Sequence, residues 1–287
     1  MMRSVVPVLT VVGFLLVAWY AAAVWLNAPW AYNKAQRAGT ELTISQLVAD
    51  TWSQDKPKLP APHQVVREVW ETTAQKAITS KRSLIYHAGI TLSATLLGFV
   101  LGTGLGILLA VGIVHNRTMD MSVMPWVIAS QTIPILAIAP MIIVVLNAVG
   151  VSGLLPKAMI SMYLSFFPVV VGMVKGLRSP DAMQLDQMRT WNASRGETFR
   201  KLRLPSSMPY LFTSLKVAMA ASLVGAIVGE LPTGAVAGLG ARLLAGSYYG
   251  QTVQIWSALV MAAVLAACLV GFIGLLQRLT LRRMGME

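Results

Sequence analysis

The chain has 287 residues, 56% of them hydrophobic and 12% charged, with a formal net charge of +12 at pH 7. A soluble domain carries roughly 25% charged residues, so a single solvated core is excluded, and several apolar runs reach the ~20 residues that cross a bilayer. The lone Cys268 excludes an intrachain disulfide, and the positive balance reads as basic loops on an acid-poor chain rather than as a nucleic-acid surface.

Val5 to Leu26 is a nearly uninterrupted apolar run behind Arg3. A signal peptide has an apolar core of about 7–15 residues, so this longer run is expected to be a retained first span; cleavage after Ala21-Ala22-Ala23 is the competing reading. Asn27 to Lys81 is polar, with Pro57, Pro60 and Pro62 close together. A helix is expected over Gln64–Ile78, with Val65, Val66, Val69, Thr72, Thr73 and Lys76 along one moderately apolar side that suits a membrane surface.

Tyr86 to Val114 is the expected second span. Gly98, Gly102 and Gly106 recur at i+4 in it, a small-residue stripe that lets a neighbouring helix approach closely. The embedded Gly102-Thr103-Gly104-Leu105-Gly106 lacks the strand–turn–helix setting of a nucleotide loop. His115-Asn116-Arg117 form a short turn. Met124 to Val149 is the third span, interrupted by Pro125, Pro134 and Pro140, and Leu155 to Leu177 the fourth, containing Pro168.

Arg178 to Pro209 is not membrane. It holds six of the chain's 23 basic residues and two sets of helix-start signals. Ser179 is expected to cap a first helix, with Pro180 at its first position and Asp181 in its first turn. Ser194 and Glu197 form a capping box for a second helix, which is expected to carry Arg200, Lys201 and Arg203 at its C-terminal end and to stop at Pro205. Asn192 between them is the non-glycine residue type that best tolerates a left-handed cap. Tyr210 to Val228 is then the fifth span, followed by a Gly-rich stretch containing Pro232, and Val253 to Leu276 is the sixth, with Arg278, Arg282 and Arg283 behind it. Lys216 sits about two turns inside the fifth span, where snorkelling to the interface is expected; Glu230 is expected at its opposite end. His63, His87 and His115 have no ligand spacing with Cys268, no G-x-x-x-x-G-K-[ST] is present, and no nucleophile–base pairing can be argued, so neither a metal site nor a catalytic site is expected in this chain.

The loop resembles the cytoplasmic E-A-A-x-x-x-G motif, with its I/L-x-L-P tail, of the permease subunits of bacterial ABC importers. Asp186 falls on the glutamate, Gln187 and Met188 on the alanines, and Asn192 on the glycine; Ala193-Ser194-Arg195 and Leu202-Arg203-Leu204-Pro205 come after it in register. Asp keeps the carboxylate and Asn keeps the turn, whereas Gln-Met departs from Ala-Ala. Pro134 to Pro140, Phe167-Pro168 and Gly238-Leu239-Gly240 look like the nitrate, taurine and alkanesulfonate branch, so the likeness covers Leu59 to the C-terminus.

The resemblance implies an all-α polytopic membrane protein of about six transmembrane helices. A cytoplasmic helix–turn–helix coupling loop (178–209) lies between spans four and five. An N-terminal span and the start of a periplasmic segment occupy 1–58 and the permease domain 59–287. It places ATPase coupling on Asp186, Gln187, Arg189, Asn192, Ala193, Ser194, Arg195 and Glu197, and gives Pro134, Pro140 and Glu230 as candidates for the pathway or its gate. The implied partners are a second permease, identical or different, two ATP-binding cassette subunits, a periplasmic substrate-binding protein and the lipid bilayer, with no nucleic acid. ATP and Mg would sit on the ATPases and no cofactor in this chain. Both termini are expected in the cytoplasm and the chain in the bacterial inner membrane. The rival from another class is a stand-alone secondary transporter, which usually shows inverted repeats and mid-membrane carboxylates; the sequence shows neither. A membrane-embedded enzyme is a third reading, without a catalytic constellation to support it.

Overall fold

A computed structural model describes residues 2–231 and 237–286, with side chains from Val6 onward, so Pro232 lies outside the described residues. These residues form helices: α1 (Met2–Ala38), α2 (Ile44–Ser53), α3 (Pro62–Ala74), α4 (Leu84–His115), α5 (Arg117–Ser130), α6 (Ile135–Ala148), α7 (Leu154–Leu177), α8 (Ala182–Thr190), α9 (Arg195–Thr198), α10 (Leu204–Glu230), α11 (Leu239–Tyr248) and α12 (Thr252–Arg283). Five helical stretches are long and apolar enough to cross a membrane, six if α5 and α6 count as one. The chain divides into two compact units, one of residues up to Ala88 with Ala241–Ala262, the other of Gly89–Gly240 with the remainder of α12.

In the first unit α1 continues past the expected end at Leu26 to Ala38, because Ala28, Ala31, Ala35 and Ala38, with Lys34 and Gln36, keep helix propensity high beyond the apolar run. Asn27, fully buried in α1, organises the polar segment beyond the helix. Its Nδ2 donates to the carbonyls of Thr51 (3.3 Å) and Leu59 (2.8 Å), and its Oδ1 accepts from the amides of Lys58 (2.7 Å) and Leu59 (3.2 Å). A buried carboxamide is tolerated only when it is bonded in this way. Trp19 Nε1 donates to Pro60 O at 3.0 Å, and the Arg242 guanidinium of α11 bonds Glu68 of α3 (3.3 Å) and Arg82 O (3.2 Å). The polar segment is thus folded rather than a tether. The helix expected over Gln64–Ile78 is α3; it starts at Pro62 and ends at Ala74, buries Val65 and Thr72, and leaves Val66 exposed, so the expected stripe is split and Lys76 lies beyond the helix.

The second unit is built on α4, α7 and α10, and small residues set its geometry. A Cβ added at Gly98 or Gly102 would overlap the side chains of Ser161 or Ser165, and one at Gly106 would lie 2.8 Å from Val169 Cβ. Each pair is separated by the same 63 residues, so α4 and α7 run parallel with the expected glycine stripe facing α7. Against α10 the order reverses. Gly176 meets Ser207, Gly172 meets Ser214, Ser161 Oγ lies 2.6 Å from Ser222 Oγ, and Gly229 meets Lys157, the sign of an antiparallel pair. Ser222 Oγ also donates to Thr95 O (2.8 Å), which closes the three-helix contact. Parallel α4 and α7 require one further crossing between them. The expected third span supplies it as a broken pair, in which α5 and α6 meet at 100°. Of its three prolines only Pro134 stands at the break, as the N-cap of α6, while Pro125 and Pro140 lie within helices.

Candidate coupling site

The chain leaves α7 at Arg178, whose guanidinium pairs with Asp120 Oδ2 in the first turn of α5 at 2.8 Å. Ser179 is not the helix cap. Its hydroxyl donates back to Gly176 O (2.8 Å), because a serine just past a helix end finds unpaired carbonyls closer than the next helix's amides. The cap is Asp181, which accepts from Gln184 N at 2.7 Å while the Gln184 side chain accepts from Asp181 N at 3.2 Å.

α8 ends in a Schellman motif. Ala193 N donates to Met188 O (3.0 Å) and Asn192 N to Arg189 O (2.8 Å), around Asn192 at φ +51°, the one non-glycine residue with positive φ among the described residues. The expected capping box is present in α9. Ser194 Oγ accepts from Glu197 N (3.2 Å), and Glu197 Oε2 accepts from Ser194 N (2.9 Å). The expected stop at Pro205 does not occur. A π-turn over Phe199–Arg203 inserts one wide turn, Leu204 N donates to Phe199 O, and Pro205 sits in the first turn of α10. The wide turn relieves the clash a proline ring makes with the carbonyl four residues back, and the helix runs on into the span.

Arg203 Nη1 donates to Leu177 O at 3.0 Å, so the two ends of the loop are tied together. Met188 is the buried residue of α8, and Phe199 and Leu204 join the apolar core of the unit. The opposite face of α8 presents Met183 (80% exposed), Asp186, Gln187 and, at the cap, Trp191 (67% exposed). Asp186 pairs with Arg189 at 2.8 Å, both side chains in solvent, a contact of little stabilising value that leaves the carboxylate accessible. Met183 and Trp191, which the motif does not name, are the large side chains most exposed on this segment. Their signal in the sequence is a thioether and an indole that do not share the face of the buried Met188. Behind the loop, a basic notch of about 560 Å³ is lined by His115, Arg189, Arg195 and Arg203 together with Leu185 and Thr198.

The eight residues expected to couple all lie on the α8–α9 segment, Asp186 and Gln187 on its exposed face and Arg189, Ala193 and Arg195 along the notch, whereas Pro134, Pro140 and Glu230 are elsewhere. Pro140 is half-buried beside Ala139, which packs with Ile143, Ile160 and Val228. Glu230 is fully buried at the end of α10. Thr91 Oγ1 donates to its carboxylate (2.9 and 3.1 Å), Gly240 N donates to Oε2 (2.7 Å), and Leu239 N donates to Thr91 Oγ1 (2.9 Å). The carboxylate thus holds α4, α10 and the start of α11 together.

Residues 102–286 match the family described as the binding-protein-dependent transport system inner membrane component. The chain belongs to that family. It is 30% identical over 231 residues to a probable ABC transporter permease protein of Haemophilus influenzae, covering 80% of this chain and 89% of that one. To a formylaminopyrimidine transport permease protein of Halalkalibacterium halodurans it is 32% identical over 63% of this chain and 68% of the relative. To a putative aliphatic sulfonates transport permease protein of Bacillus subtilis it is 26% identical over 84% and 83%. A chain of the inward-facing MetNI methionine ABC transporter shares the fold, with a TM-score of 0.52 at 21% identity over 75% of this chain and 95% of that chain. This ABC importer permease is a multi-pass membrane protein of the nitrate, taurine and alkanesulfonate type, and such permeases work with ATPase subunits.

Proposed function

We propose that this permease forms half of a two-permease pathway in the bacterial inner membrane, with its coupling loop and both termini in the cytoplasm. A periplasmic binding protein delivers a small solute. Two separate ATPase subunits, which hold ATP and Mg, rock the spans between outward- and inward-open states. The supporting observation is the doubly capped α8–α9 pair, whose exposed face offers Met183, Asp186, Gln187 and Trp191. A mere tether needs neither caps nor a left-handed turn, and aromatic anchors ringed by polar groups are the usual energetic centre of a docking face. Asn192 and Ala193 set the turn, Ser194 and Glu197 hold α9, and Arg189 and Arg195 supply positive charge beside it.

Pro134 gives the broken span its bend and, with Pro140, shapes the gate, while Glu230 fixes helix ends near the outer mouth. The solute is small and anionic or heteroaromatic, in keeping with relatives named for aliphatic sulfonates and formylaminopyrimidine. A secondary transporter would need a titrating acid free to bind its ion, and Glu230, buried at the end of α10, already accepts from the Thr91 hydroxyl and the Gly240 amide. The test is Asp186→Lys in reconstituted membranes. It replaces attraction by repulsion at the interface, which costs several kcal/mol at such contacts. ATPase co-purification or solute-stimulated hydrolysis is expected to be lost with the permease still inserted; full coupling would sink the docking assignment.

A further inference from the structure

Lys216, on the half of α10 nearer the coupling loop, faces a cleft of about 540 Å³ that it lines with Gly271, Gly274, Gln277 and Arg278 of α12. Gly274 lies against it, a Cβ there being in ordinary van der Waals contact with Lys216 Cε at 3.6 Å, and around Gly271 the space is open. Among the described residues neither Lys216 nor Arg278 makes an ion pair or a side-chain hydrogen bond, and the buried Oε1 of Gln277 has no partner. The rim is apolar and exposed, with Phe272, Leu275 and Leu279 all more than half accessible. Lys216 stands six residues, roughly 9 Å, beyond Tyr210 at the expected start of the span. Helical side chains lean toward their own N-terminus, so Lys216 on α10 leans toward the loop side of the membrane and Arg278, on the oppositely directed α12, leans to meet it.

Two cations without a protein partner in an apolar-rimmed cleft suit an anion. Among the described residues no acid of the chain pairs with either cation. Of the ten acids among the described residues, five precede Arg82; Asp120, Asp181, Asp186 and Glu197 lie at or near the loop, and Glu230 is engaged by Thr91 and Gly240. The source left at this depth is the bilayer itself, whose headgroup phosphates lie where a snorkelling lysine reaches.

We propose that this cleft binds the phosphate of an anionic phospholipid of the phosphatidylglycerol class, from the leaflet bordering the coupling loop. Lys216 and Arg278 hold the phosphate, Gln277 Oε1 accepts from a glycerol hydroxyl, and the acyl chains run along Phe272 and Leu275. The inference needs only that the chain spans a membrane, and its readout, retained lipid, is independent of transport and of ATPase docking. The full chain with its ATPases is exchanged into nanodiscs of phosphatidylcholine containing a minor fraction of phosphatidylglycerol, then delipidated in mild detergent and weighed by native mass spectrometry. Wild type is expected to retain phosphatidylglycerol in preference to phosphatidylcholine. Lys216→Gln and Arg278→Gln should each lower that retention roughly fivefold, the worth of one surface cation near lipid phosphate. Gly271→Leu keeps both charges but fills open space in the cleft, and should lower it as well, so the inference stays testable if Lys216→Gln fails to insert. Unchanged retention in Arg278→Gln and Gly271→Leu overturns the proposal. So does displacement of the lipid by inorganic phosphate, which would mark a site for a free anion, and so does a disulfide between copies carrying Lys216→Cys in a Cys268→Ser background, which would mark the cleft as an interface.

Discussion

The Arg203 guanidinium donates to the carbonyl of Leu177 across 3.0 Å, and this one bond joins the last residue of α7 to the π-turn that opens into α10. The coupling loop is therefore clamped at its base. Tied in this way, α7 and α10 are expected to follow any movement of α8 together. A hydrogen bond from a charged donor contributes about 1.5–3 kcal/mol when well shielded and less at a partly exposed site. Arg203→Gln is expected to speed amide exchange in 182–198 about tenfold, with exchange in 156–174 unchanged. Exchange mass spectrometry of the purified permease reads this directly; uniform protection in both variants would show that the clamp is incidental.

The turn at Asn192 makes a sharper prediction, because it acts through backbone and not through contact. A left-handed conformation costs an L-residue about 1–2 kcal/mol, Asn less, and a β-branched residue most of all, while glycine adopts it freely. Asn192→Gly should leave ATPase coupling within about twofold of wild type. Asn192→Val should lose the Schellman bonds of Ala193 and Asn192 and lower solute-stimulated hydrolysis at least tenfold, with normal insertion. Equal behaviour of the Gly and Val variants would show that the left-handed turn is not needed.

The glycine stripe gives a stability test. Gly102 faces Ser165, and its nearest backbone neighbour, Met162 O, would lie 3.0 Å from an added Cβ. Gly102→Leu has to separate two spans of the same chain, so yield and thermal stability of the isolated permease should fall even without partners. Gly104, with nothing near an added Cβ, is the control: Gly104→Leu should be tolerated. The idea fails if the two variants behave alike.

Glu230 calls for a distinction between shape and charge. Glu230→Gln keeps an oxygen for the Gly240 amide and can still bond the Thr91 hydroxyl, which switches between donor and acceptor. Glu230→Ala leaves a buried amide unpaired and opens a void. It should destabilise by about 3 kcal/mol or more, against about 1 kcal/mol for Gln. Thermal unfolding in detergent, at fixed lipid content, separates the two; a Gln variant as unstable as Ala would assign the effect to the charge.

The range of each interaction decides whether the sequence makes it legible. The Asn192 turn and the Ser194–Glu197 box are local, settled within five residues, and both are readable where they stand. The first cap is harder: the sequence favours Ser179, two residues before the true cap Asp181, because both types cap and only tertiary placement shows which one faces free amides. Pro205 reads as a stop since a π-turn has no composition of its own. The role of Asn27 is not readable at all: its four bonds reach 24 to 32 residues ahead, and a polar residue at the end of an apolar run looks like the start of a loop. The glycine stripe is visible as a stripe, but its partner in α7 lies 63 residues away and carries serines of ordinary spacing.

Orientation is the prediction on which the importer assignment turns. The parallel registry of α4 and α7 and the antiparallel registry of α7 and α10 fit six crossings, with the broken α5–α6 pair as one of them, so that the coupling loop and the C-terminal arginines share a side. With Arg178, Arg189, Arg195, Arg200, Lys201 and Arg203 in the loop and Arg282 and Arg283 at the tail, the positive-inside rule predicts that this side is cytoplasmic. Cys268 is exposed and must first be removed, as Cys268→Ser. In that background, cysteines placed singly at the exposed positions Gly196 and Met286 should react with a membrane-permeant maleimide in intact cells and not with an impermeant one. A cysteine at Ser53, exposed on α2, should react with both. Labelling of Gly196→Cys by the impermeant reagent would place α8 and α9 outside, out of reach of any cytoplasmic ATPase.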